Sequence, residues 1–197
     1  MKKRIASLVL LVIAFVWLGF SISVTAALEA NQAAGQGGAV SLGGMESRPP
    51  ADWKQQATAG QMRAYQFQIP KAEGDKSDAE LVIFYFGERG AGSVAANVTR
   101  WKEMFIPPDG KNIDDVAKLD NFKVGDADVT YLDIQGTYKF KARPFDPNAN
   151  VELKPDYRML GVVFSSKKGP YFLRLVGPAK TVGQHKKEFD DWLKAFK

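Results

Sequence analysis

The chain has 197 residues, enough for one domain with additional segments, and its 45% hydrophobic and 25% charged residues are ordinary for a globular protein. It has no cysteine, which excludes disulfides, a thiol nucleophile, cysteine-ligated zinc and an acylated lipoprotein cysteine; a single histidine, His185, restricts histidine-based metal sites. The net charge is +5, but Lys2, Lys3 and Arg4 carry three of those charges, and the remaining +2 forms no basic stripe of the kind that binds nucleic acid.

The N-terminus reads as an export signal. Lys2-Lys3-Arg4 is a basic n-region, Leu8 to Leu18 is an unbroken apolar block, and Val24-Thr25-Ala26 offers small or permissive residues for cleavage before Ala27. Residues 1–26 are therefore expected to be a signal peptide. The alternative is a retained membrane anchor, because Ile5 to Val24 is long enough to span a bilayer. Under both readings the positive-inside rule sends the rest of the chain to the periplasm or the extracytoplasmic membrane face. Residues 27–50, rich in Ala, Gly, Gln and Ser, read as a flexible linker, and residues 51–197 as one domain.

Within that domain, Met62 to Ile69 alternates, with Tyr65, Phe67 and Ile69 on one face, and Pro70 stops it. Leu81 to Phe86 is continuously apolar, as in a strand covered on both faces. The following Gly90-Ala91-Gly92-Ser93-Val94-Ala95 fits a dinucleotide-binding pattern. No second buried strand follows it, and no Gly-Lys-Ser/Thr is present. The glycines are therefore expected to serve a turn, with Ser93 capping a helix to Phe105 whose Val94, Val98, Trp101 and Phe105 share one face. Two hairpins come next, Asn121 to Gln135 around Gly125-Asp126 and Met159 to Val176 around Lys167-Lys168-Gly169-Pro170. Thr181-Val182-Gly183-Gln184 reads as a capping box opening a last helix with Val182, Phe189, Trp192, Leu193 and Phe196 on its apolar face.

Strand, strand, helix, several strands, helix is an α+β order: an antiparallel sheet of about 5–7 strands with two main helices packed on it. "FYFGERGAGSVAANVTRW", "IQGTY", "RMLG" and "YFLRLVGPAKTV" resemble a family of uncharacterised exported bacterial proteins, and the order of elements is similar to the PsbP-like α/β/α sandwich. The resemblance covers about Trp53 to Lys197 and implies a binding or assembly role, with no contact residue to carry over.

Catalytic signatures are weak. His185 is the one candidate base for a Ser-His-Asp site, no serine lies in Gly-x-Ser-x-Gly, and the histidine reads as structural. Asp114-Asp115, Asp126 and Asp128, and Asp190-Asp191 could supply paired carboxylates for an exported hydrolase, the alternative to binding. Asp146 to Glu152 partly matches a calcium loop, but Val151 stands where glycine is needed. No catalytic, cofactor or metal residue is assigned. The loop Lys141 to Asp156 is the best candidate surface. Its Pro144, Phe145, Asp146, Asn148 and Asn150 are expected to meet an unknown envelope protein or component.

Overall fold

Alternation along Tyr65-Gln66-Phe67-Gln68-Ile69 buries Phe67 and Ile69 and leaves Gln68 in solvent, and the apolar run after it is buried at Leu81, Val82 and Ile83. These are neighbouring strands in a computed structural model that describes residues 38–58, 60–142 and 148–197. In chain order the elements are β1 (Val40–Leu42), β2 (Met45–Ser47), β3 (Lys54–Gln55), β4 (Arg63–Ile69), β5 (Ala79–Tyr85), α1 (Val94–Glu103), β6 (Phe105–Ile106), α2 (Ile113–Val116), β7 (Ala117–Val124), β8 (Ala127–Phe140), β9 (Glu152–Ser166), β10 (Gly169–Pro178) and α3 (Ala179–Lys194).

Eight strands form one antiparallel sheet in the order β3-β4-β5-β10-β9-β8-β6, with β7 also beside β8. The fold is α+β, as expected. The sheet is larger than the expected 5–7 strands because two-residue pieces, β3 and β6, pair at its margins, and such pieces carry no periodicity. A third, short helix, α2, adds to the two long ones.

Side-chain alternation divides the core between the two sheet faces. On one face, Phe67, Ile83, Leu160, Phe164 and Leu175 pack with Phe189, Trp192 and Leu193 of α3. On the other, Leu132, Ile134, Met159 and Phe172 pack with Trp101 of α1. Gly161 makes the second layer close: a Cβ there would lie 2.7 Å from the Trp101 ring.

Three expectations need correction. The expected linker, residues 27–50, is part of the domain from Gly38 onward. Val40 and Leu42 are fully buried, Ser47 Oγ donates to the Trp192 carbonyl at 2.9 Å, and Glu46 and Lys197 exchange backbone hydrogen bonds. A two-stranded hairpin cannot bury its own apolar residues, so this one borrows the end of α3. Thr181 is not a cap either. The helix begins at Ala179, and Thr181 lies inside it, its N–H and hydroxyl donating to Asp75 Oδ2 at 2.9 and 2.6 Å. A carboxylate from the β4–β5 connection thus satisfies an orphan donor that a local cap was expected to satisfy. Lastly, the Lys141–Asp156 loop is shorter than expected, because Glu152, Leu153 and Lys154 pair with Phe140, Lys139 and Tyr138.

Candidate functional site

The sequence YFLRLV places one charge inside the apolar run of β10. Arg174 lies opposite Val82 of β5 and Gly161 of β9, on the face that α1 covers. Among the described residues its only hydrogen-bond acceptor is the Met104 sulfur, 3.6 Å from its guanidinium, and the Phe84 ring centroid lies 4.9 Å away. Burial pulls the guanidinium below its ordinary value. Tyr138 and Glu80 act against that, and Arg63 adds to it. A guanidinium offers five donors, and sulfur is a poor acceptor. Most of the donor capacity of Arg174 is therefore unused among the described residues.

The surroundings are aromatic and cationic. A bulge in β4 between Arg63 and Tyr65 sets Arg63 opposite Phe84, its guanidinium 5.8 Å from that ring. Arg63 also bonds Gln66 Oε1 at 2.8 Å and lies 3.8 Å from Glu80. On the other side Tyr138 stacks on Tyr157 with ring centroids 6.0 Å apart, and the Tyr157 hydroxyl lies 3.1 Å from Ser77 Oγ. Burial is the main cause that pushes the Tyr138 phenol up, with the Arg174 charge working the other way.

A second bulge completes this face. The register of β8 on β9 runs Gly136↔Tyr157 and then Tyr138↔Lys154, so β9 spends one residue more than β8 there. Asp156 takes φ 54 in that bulge, and Pro155, which has no N–H for a ladder, sits beside it. The extra residue shifts the alternation. Lys154, instead of Leu153, joins Tyr138 and Tyr157, its Nζ 4.6 Å from the Phe140 ring centroid and 5.9 Å from that of Tyr157. Beyond Glu80 a shallow depression of about 390 Å³ continues over Gln56, Gln66, Gln68 and Asp78.

The expected sites fare differently. Pro144, Phe145 and Asp146 lie outside the described residues. Asn148 is exposed in a turn, and Asn150 is exposed just before β9. Glu152, the end of the partial calcium match, lies in β9 with its carboxylate 3.4 Å from Lys154. The carboxylate pairs do not converge on each other. Asp114 meets Lys102, Asp128 meets Lys123, Asp126 meets Lys167, Asp190 meets Lys186 and Asp191 meets Lys187. The glycine turn has packing partners: Asn97 and Arg100 donate to the Ala91 carbonyl, Gly90 backs onto Pro170, and the Ser93 hydroxyl accepts from Ala96 N–H at 3.2 Å.

Sequence reasoning missed Arg174, Tyr138, Tyr157 and Lys154. Only Arg174 carried a signal, as the lone charge in a buried strand; the others meet through a bulge that no local pattern marks. No helix of the described residues is long and apolar enough to cross a membrane. Comparison of the chain with protein-family models and with curated proteins finds no match.

Proposed function

We propose that this protein is a non-catalytic binding module of the cell envelope, and that its Arg174 face holds an acidic segment of a partner protein. One observation carries the reading: a desolvated guanidinium in a central strand with a thioether as its only hydrogen-bond acceptor among the described residues. The guanidinium is half-buried, so it is partly stripped of water yet still open to a ligand, and a ligand carboxylate offers the bidentate oxygen acceptor that it lacks among the described residues. The Phe84 ring beside it, and Tyr138 with the Tyr157 ring stacked on it, suit a carboxylate flanked by apolar groups, and Lys154 and Arg63 add positive potential at the margin. The connection between β8 and β9 starts at the Phe140–Glu152 pair, and its Pro144, Phe145, Asp146, Asn148 and Asn150 belong to this proposal as partner-binding residues. Export by residues 1–26 belongs to the same proposal. So does the PsbP-like sandwich, which the helical layers on both sheet faces support.

The test is a titration of the full chain with short peptides carrying Glu between aliphatic residues, against the same peptides with Gln. NMR would follow the Arg174 Nε–H resonance. The acidic peptides should shift it and the Gln peptides should not. Equal responses to both, or none, would remove the reading.

A further inference from the structure

The opposite face of the molecule carries a separate cluster. His185 of α3 is 4% exposed, and its Nε2 lies 3.0 Å from the Pro70 carbonyl oxygen at the end of β4. A carbonyl can only accept, so Nε2 carries the ring proton. Nδ1 then faces Glu188 Oε2 at 3.0 Å and Asp52 Oδ2 at 4.0 Å. One ligand atom from each of the three residues lies within 4.8 Å of the other two. With a neutral ring, a lone pair and two carboxylates point at one another with no donor between them. A cation placed among them would meet all three acceptors at once.

We infer that Asp52, His185 and Glu188 form a site for a divalent first-row transition cation of the zinc type, bound by His185 Nδ1 and the two carboxylates, with water completing the shell. Ligands each about 2.0–2.2 Å from a tetrahedral zinc lie roughly 3–4 Å from one another, the range of the two distances from Nδ1 to the carboxylates, and the carboxylates themselves lie within 4.8 Å of each other. The outward N–H bond to a backbone carbonyl is the support that metal-ligating imidazoles use to hold tautomer and ring orientation. The ring is buried and fixed, whereas the Asp52 and Glu188 side chains are 48% and 51% exposed, so an ion has a way in. Imidazole favours zinc, copper or nickel over calcium and magnesium, which prefer all-oxygen shells. His185 and Glu188 stand at i and i+3 on one helix, while Asp52 comes from the turn before β3. A bound cation would therefore tie the N-terminal segment to α3 at the end of β4.

The experiment is calorimetric titration of the full chain with zinc chloride at neutral pH, with calcium chloride as the comparison. We expect one zinc per chain, at least about 10-fold tighter than calcium, and at least about 10-fold weakening in Asp52→Asn and in Glu188→Gln. Both changes are at exposed side chains, so the metal-free melting curves should stay close to wild type. Zinc at 100 times its Kd should shift the unfolding equilibrium of the wild type about 100-fold toward the folded state. Absence of zinc binding, or binding unchanged in the Asp52→Asn/Glu188→Gln double variant, would overturn the site.

Discussion

At the scale of single residues, Arg174 and Gly161 make opposite predictions. Arg174 is charged, half-buried and short of acceptors among the described residues, so its partial desolvation works against folding. Arg174→Met keeps a long side chain against Met104 and Phe84 without that cost. Thermal unfolding should show the variant more stable by roughly 1 kcal/mol, while acidic-peptide binding is lost. An arginine kept for structure would give the reverse, a lower Tm with binding intact. Gly161 is its neighbour across β9 and β10. A Cβ at Gly161 would meet the Trp101 ring at 2.7 and 2.9 Å, and the ring is too large and too well buried to move freely. Gly161→Ala should therefore cost about 1–3 kcal/mol in chemical denaturation, the range of overpacked cores.

At the scale of elements, the Gly87–Ser93 turn and the β9 bulge do different work. Gly90 and Gly92 both have left-handed backbone, φ 65 and 93. Their surroundings differ, because a Cβ on Gly90 would lie 2.5 Å from Pro170 and one on Gly92 would meet open space. Gly92→Ala should cost about 1–2 kcal/mol from backbone strain alone. Gly90→Ala should cost clearly more, because the β9–β10 turn must also move. Equal costs in parallel denaturation curves would show that the turn does not bear on Pro170. The bulge places Lys154 with Tyr138 and Tyr157, and a β9 without it would present a different side chain there. An inserted residue in one strand thus decides which charge the candidate site has.

At the scale of the whole molecule, the sheet is covered twice, by α1 on one face and by α3 with the β1–β2 hairpin on the other. The hairpin is a structural part of the domain, so Leu42→Ala should cost about 2–5 kcal/mol, as large-to-small changes at fully buried sites do. A flexible linker would show no change in the midpoint of urea unfolding. The bidentate Arg158–Asp133 pair, at 2.7 and 2.6 Å, joins β8 to β9 on the α3 face, and the Tyr131 hydroxyl donates to Asp190 of α3 at 2.8 Å. The helix is therefore fixed to the sheet by polar as well as apolar contacts.

The α+β class, the strands β4, β5, β9 and β10 in outline, the Ser93 cap, and Val98 and Trp101 on the buried face of α1 were legible in the sequence, whereas Val94 of the expected face is exposed and Phe105 lies past the helix in β6. The legible features all depend on side chains a few residues apart, where period, turn chemistry and capping act locally. What only the tertiary structure decided depends on groups far apart in the chain. Val40 and Leu42 lie in an Ala- and Gly-rich stretch and are core because α3 ends beside them. Thr181 is bound by Asp75, and so is not a cap. Arg174 and Lys154 reach one aromatic face through register and a bulge. Asp52 meets His185 and Glu188 because a turn near the start of the domain packs on its last helix. Burial and partnership are properties of the assembled layers, and a local pattern reports only the face a residue shares, not what the fold brings against that face.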